Sequence, residues 1–273
     1  MEKGLFIISL SLWCCAPIWS QSQELDSKQL SLKGIRILCF SSSTTAAKPA
    51  FDRASPIWKA LKEEGVTLAF ATSSFPRQKL DKFDQLWLFS GPKHEARSLT
   101  KSDFDAIVEF VRSDKGLYVL SDNFPNTFES NALVKHFFDA RVEGNYKGMQ
   151  TLTFPQSSTA SNDKQPTSTT HPLIAGMTHL AEGITISHIS ESKRLKTIIT
   201  ASDGKPLVAV SSSESLRVVV DCGYTRFFYL PKVNGNLYKH RARFARNVAM
   251  FLAGRTETQT TQNAVRENNQ RIE

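Results

Sequence analysis

Gly116-Leu-Tyr-Val-Leu-Ser-Asp-Asn123 is the stretch on which the fold turns. Its apolar run is too short for a helix and reads as a buried strand, entered through a glycine and left through three polar residues. Open α/β sheets hold their ligands beyond the carboxyl ends of such strands. Ser121, Asp122 and Asn123 therefore stand where chemistry is expected.

Working outward toward the N-terminus, Thr100-Lys-Ser-Asp103 reads as a capping box, followed by Phe104, Ile107, Val108 and Val111 at helical spacing. Before it, Phe83–Phe89 contains a strand that ends at Ser90-Gly-Pro92, and Val66–Ala71 forms another. Ser55 and Pro56 open a helix whose apolar face, Ile57, Trp58 and Leu61, stops at Gly65. Ile35–Phe40 is the first strand. It runs into Ser41–Thr45, which reads as a solvated loop; the glycines of a phosphate-binding fingerprint are absent. On the other side, Asn126 or Thr127 starts a helix bearing Leu133, Val134, Phe137 and Phe138. Strands alternating with amphipathic helices at short intervals predict an α/β fold with a mostly parallel sheet and helices on both faces.

Further on, Gly144-Asn-Tyr-Lys-Gly148 reads as a turn and Met149–Phe154 as a short strand. Residues 155–170 are a Ser/Thr/Asn-rich tract expected to be a mobile insertion. Short strands at Ile184–Ile189, Thr197–Thr200, Leu207–Val210 and Leu216–Asp221 predict antiparallel additions to one edge of the sheet. Leu237–Leu252 is the last helix, with Ala245, Val248, Phe251 and Leu252 inward and Gly254 as its stop. Its Lys239, Arg241, Arg243 and Arg246 read as a solvated outer face, and residues 255–273 as a disordered polar tail.

The charge of +8 is scattered outside that helix, and no zinc, helix-turn-helix or RNA-binding signature accompanies it. Nucleic acid is therefore not an expected partner. Lys3, the apolar run Leu5–Trp19 and Ser20-Gln-Ser22 read as a signal peptide over residues 1–22. The expectation is export to a periplasmic or extracellular location, with no stable membrane insertion once the signal is removed. A polar lead-in, 23–33, would precede one domain over 34–254. Cys39 and Cys222 remain in that domain, either as two buried thiols or as a single bridge.

The polar groups expected to converge beyond the carboxyl ends of the strands are Ser42, Ser90, Asp122, Asn123, Thr225 and Arg226. A carboxylate beside a guanidinium and hydroxyls can bind a polar ligand, and the same groups can cap helices and tie loops. Asp122 and Asp221 are candidates for acid-base work if their strands are neighbours. No nucleophile elbow surrounds Ser121, and the six histidines show no metal-ligand spacing, so no metal or cofactor is expected.

Several separate segments share a pattern in order: Gly116-Leu-Tyr with Asp122-Asn123 and Pro125, Asn131, Gly144-Asn145 with Gly148, His171-Pro172 with Gly176, Glu182-Gly-Ile-Thr-Ile186, and Gly223-Tyr-Thr-Arg226. Over about residues 34–254 the chain resembles uncharacterised bacterial domains of the class I glutamine amidotransferase-like superfamily, a group that includes ThuA-like domains. The resemblance implies a flavodoxin-like three-layer sandwich. It also implies that the turn after Leu120 is the family's nucleophile position; with no cysteine there, glutaminase activity is not expected. Asn145 joins the candidate ligand-binding residues on the same ground.

The leading expectation is an exported, non-catalytic domain that binds a polar small molecule or an envelope protein at the carboxyl edge of its sheet. The alternatives are an extracytoplasmic hydrolase of a carbohydrate or amide acting through Asp122, and an envelope scaffold that uses the basic helix.

Overall fold

The structure, a computed structural model, describes residues 31–72, 74–92, 99–154, 171–228 and 235–255, with backbone alone for 235–239. In chain order the strands are β1 (Arg36–Ser41), β2 (Thr67–Ala71), β3 (Gln85–Phe89), β4 (Gly116–Leu120), β5 (Val142–Lys147), β6 (Thr151–Thr153), β7 (His179–Ala181), β8 (Thr185–Ile189), β9 (Leu195–Thr200), β10 (Pro206–Ser211) and β11 (Val218–Asp221). The α-helices are α1 (Thr44–Ala50), α2 (Pro56–Glu63), α3 (Lys101–Arg112), α4 (Phe128–Phe138) and α5 (Gly235–Leu252).

Seven strands form one sheet in the order β2-β1-β3-β4-β11-β10-β9. The pairs from β2 to β11 are parallel, and β10 and β9 add antiparallel at one edge. The chain runs from β1 outward to β2, then returns past β1 to β3 and β4. With right-handed crossovers, that reversal places α2 and α3 on opposite faces and opens a crevice between the carboxyl ends of β1 and β3. This is the expected α/β, flavodoxin-like arrangement with a mostly parallel sheet. Every residue of β4 is buried, as a strand with neighbours on both sides and covered faces requires.

Four local readings are corrected. Val218-Val-Val-Asp221 is not an edge addition: all four residues are buried, and such a continuous apolar strand belongs inside the sheet, where β11 lies parallel to β4. β8 is not in the main sheet; it pairs with β5 in a separate two-stranded ribbon. Of the expected turn at Gly144–Gly148, all but Gly148 is instead part of β5, interrupted between Glu143 and Tyr146. Gly144 sits there at φ +101, and a Cβ on it would lie 2.0 Å from the Tyr146 ring. The glycine thus marks a bulge in a strand. Finally, Ser41–Thr45 is no solvated loop. Ser41, Ser42 and Ser43 are at most 2% exposed, and the Ser43 hydroxyl accepts from the Ala46 amide as the N-cap of α1.

The last helix departs in part from a solvated basic face. Arg241 is buried and Arg246 grips both oxygens of Glu64 at 2.7 and 2.8 Å, whereas Arg243 is exposed as expected and reaches the Ala175 carbonyl; the Lys239 side chain lies outside the described residues. The helix packs against α2, and that neighbour supplies Glu64. Ala245, Val248 and Leu252 are buried as expected. At the other end of the domain, Leu32 in the lead-in is fully buried in the core. Among the described residues, no helix is long and apolar enough to cross a membrane. The signal, insertion and tail readings fall on residues 1–22, 155–170 and 256–273, outside the described residues.

Cys39 and Cys222 are free and buried, and burial pushes both thiols upward in pKa. Strands β3 and β4 separate their strands in the sheet. Three strand spacings amount to roughly 14 Å, about twice the Cα separation a disulfide spans.

Candidate functional site

The polar residues at the carboxyl edge fall into two nests. The first sits at the crevice between β1 and β3. Glu129, in the first turn of α4 and 1% exposed, accepts from the Ser90 hydroxyl at 3.1 Å and the Gly91 amide at 2.8 Å through Oε2. The Ser90 oxygen in turn accepts from the Ser130 amide, and the Ser130 hydroxyl lies 2.8 Å from that of Ser121. Ser42 closes the other side: a Cβ added at Gly91 would stand 2.6 Å from its Oγ. Two atoms of this nest, Ser42 Oγ and Glu129 Oε1, are buried with no hydrogen-bond partner among the described residues.

The second nest lies beyond β4 and β11. Arg226 donates through Nη1 to Asp221 Oδ2 at 2.9 Å, and through Nε and Nη2 to the Glu182 carbonyl at 3.2 and 2.6 Å. Asp221 also accepts from the Tyr118 hydroxyl and the Gly223 amide. Thr225 accepts from the Ile184 amide at 2.8 Å and donates to the Thr185 carbonyl at 3.2 Å. A Cβ on Gly223 would meet the Glu182 carbonyl oxygen at 2.0 Å. The segments Glu182-Gly-Ile-Thr and Gly223-Tyr-Thr-Arg therefore form a clasp that ties the β7–β8 connection to the end of β11. In this clasp Thr225 and Arg226 serve as tethers.

Asp122 is different. It is 2% exposed, accepts from the Thr185 hydroxyl at 2.9 Å through Oδ2, and leaves Oδ1 buried without a partner among the described residues. Burial raises its pKa to about 7. The Thr185 hydroxyl, the nearby Asn123 amide and the Arg226 charge pull downward without overcoming that desolvation, and Asp221 adds to the rise. A carboxyl so poised accepts or donates a hydrogen bond near neutral pH.

Of the seven candidate residues, Asp122 and Thr225 meet at Thr185, whereas Arg226 is held by Asp221 and the Glu182 carbonyl and acts on Asp122 through its charge alone. Ser42 and Ser90 occupy the neighbouring nest, linked through Ser130 to Ser121. Asn123 donates to Asn145 Oδ1 at 2.9 Å as a more exposed pair linking the β4 exit to β5. Sequence reading missed Glu129, because an acid in the first turn of a helix ordinarily answers the helix dipole. It also missed the Glu182 carboxylate, whose Oε2 is likewise buried with no hydrogen-bond partner among the described residues. His171 caps the Pro172–Ile174 turn by accepting from the Leu173 amide at 3.2 Å. Asn131 grips both backbone groups of Val142 at 2.8 Å each. Among the described residues, no group of three or more His, Cys, Asp or Glu could hold a metal ion.

No family model matches the chain, and no curated protein matches its sequence. Solved structures do resemble it. A ThuA-like protein from Bacteroides uniformis superposes with a TM-score of 0.54 at 12% identity, over 83% of this chain and 94% of that one. A cytoplasmic protein from Salmonella typhimurium gives 0.54 at 10% identity, over 80% and 99%. The mmIFT52 N-terminal domain gives 0.50 at 12% identity, over 75% and 93%. At such identities the likeness is one of fold alone: the chain shares the overall α/β architecture of these proteins.

Proposed function

We propose that the chain is an exported, non-catalytic domain that binds a polar small molecule at the carboxyl edge of its sheet. One observation carries this reading. Three side chains there, Ser42, Glu129 and Asp122, are each at most 2% exposed, yet each keeps a polar atom without a partner among the described residues. An unsatisfied buried polar group costs about 1–3 kcal/mol. A ligand bearing hydroxyl or amide groups would recover that cost. The apolar run Leu5–Trp19 behind Lys3 supports export. A thermal-shift screen of the full chain against polar metabolites and sugars tests the reading, run beside Asp122→Ala and Glu129→Gln. A ligand whose stabilisation disappears in either variant is the expected result. Equal shifts in all three proteins would move binding elsewhere and sink the proposal.

A second reading, hydrolysis of a carbohydrate or amide bond, is favoured by one specific feature. The Asp122 carboxyl, with a pKa of about 7, has the proton affinity that general acid-base catalysis uses best. Turnover of any screening hit, lost in Asp122→Asn, would select it over simple binding.

A further inference from the structure

The opposite, amino-terminal edge of the sheet carries a separate cavity of about 400 Å³, within the range of roughly 300–1,000 Å³ usual for small-ligand sites. Four cations that are far apart in sequence line it: Arg36 at the start of β1, Lys115 just before β4, Arg217 just before β11 and Arg255 beyond α5. Two carboxylates, Asp84 and Asp114, share the rim, so positive charge prevails. Arg36 is held by Asp84, with Nη2 2.9 Å from Oδ1. Lys115 donates to the carbonyls of Asp81 and Phe83, which leaves one of its three N–H groups. Arg217 touches Asp114 through Nη2 at 3.0 Å, but Asp114 is 78% exposed and the pair is open to screening. Its Nε is buried and has no partner among the described residues. Arg255 spends Nη1 on the carbonyls of Ser31 and Lys33. The end of α5 also borders the cavity, but the amides of Gly254 and Arg255 cap the carbonyls of Phe251 and Met250. Its negative pole is thereby reduced.

We infer that this cavity binds a compact multivalent oxyanion, phosphoryl or polycarboxylate, with Arg217 as the principal donor and Lys115 and Arg255 completing the cradle. A planar guanidinium with free N–H groups matches a pair of anionic oxygens, and charge-assisted bonds of this kind are among the strongest available to a surface cavity. The site lies at the opposite edge from Asp122 and stands independently of the function proposed above.

Isothermal titration of the full chain at low salt, with inorganic pyrophosphate and separately with citrate, tests the inference. One site per chain is expected for at least one anion, and the anion preferred identifies phosphoryl or carboxylate chemistry. Arg217→Gln and Arg255→Gln should each weaken that binding about tenfold or more. Asp122→Asn should leave it unchanged, which separates this site from the carboxyl edge. Failure of both anions to bind up to millimolar concentration overturns the inference. So does affinity that is unchanged in both arginine variants, or a stoichiometry above one that vanishes with salt, since diffuse surface charge behaves that way.

Discussion

Arg226 and Asp221 form an ion pair of 2.9 Å in which neither side chain is exposed at all. The same carboxylate takes the Tyr118 hydroxyl and the Gly223 amide, and the guanidinium is filled by the Glu182 carbonyl. Every polar atom has a partner, which is the condition under which a buried pair is tolerated. Arg226→Ala would leave Asp221 buried and uncompensated. It should cost about 3–5 kcal/mol, read as a fall in the urea midpoint. Arg226→Lys, which cannot span both acceptors, should recover only part of that loss.

Asp122 titrates in the opposite sense from a salt-bridged carboxylate. Its folded pKa, about 7, lies above the ordinary value of 3.8. Between those limits the folded state holds a proton that the unfolded state has released, so stability falls as pH rises from about 4 to 7 and is then flat, by at most about 1.4 kcal/mol per pH unit. In Asp122→Asn this slope should vanish, and the variant should gain on the wild type with rising pH. Thermal unfolding of both proteins across that window checks it; parallel curves would refute the assigned shift.

His171 should contribute a slope of the other sign. Burial, with a smaller push from Lys196, lowers its pKa from 6.5 to about 4. Its Nδ1 must stay unprotonated to accept the Leu173 amide. As pH falls from about 6.5 to 4 the unfolded chain takes up a proton first, and stability is lost. His171→Ala should cost about 0.5–2 kcal/mol at neutral pH, as lost N-caps do. His171→Asn should keep the cap and abolish this acid sensitivity, which acid titration followed by circular dichroism would show.

Gly91 is a packing constraint between the two sides of the crevice. A methyl group there would stand 2.6 Å from Ser42 Oγ and 3.1 Å from Ser43 Cβ. Gly91→Ala should therefore destabilise by about 1–3 kcal/mol. The double variant with Ser42→Ala should recover part of it, giving a favourable coupling in a double-mutant cycle by chemical denaturation.

The architecture was legible wherever local pattern and burial agree. Strand β4, the Thr100 capping box and the apolar face of α2 are readable because each is fixed by nearby residues. The place of β11 was not, since nothing local tells a buried strand whether its neighbour lies beside it in sequence or far back at Leu117. Ser43 was obscured for a related reason: a Ser/Thr run suits a loop and a helix cap alike. At the site, Asp122 and Arg226 were expected side by side, yet Arg226 pairs with Asp221 and the Glu182 carbonyl while Asp122 accepts from Thr185. Whether a polar side chain is spent or spare depends on atoms that only the folded chain brings near, as the Glu182 carbonyl does for Arg226. Glu129 was missed on the same account. The cationic cavity is the extreme case, built from four residues that the sequence scatters from Arg36 to Arg255.

The insertion of β11 between β4 and β10 bears on how the molecule is made. Until residue 221 has joined, β4 is a bare edge in the hydrophobic middle of the sheet, with backbone donors and acceptors open to any passing strand. Long-range parallel pairing must absorb its loop-closure entropy before it gains stability, so this step is slow. A nascent chain that ends before Val218 is consequently an aggregation-prone intermediate, and completion of the sheet waits on synthesis of β11, about a hundred residues after the strand it covers.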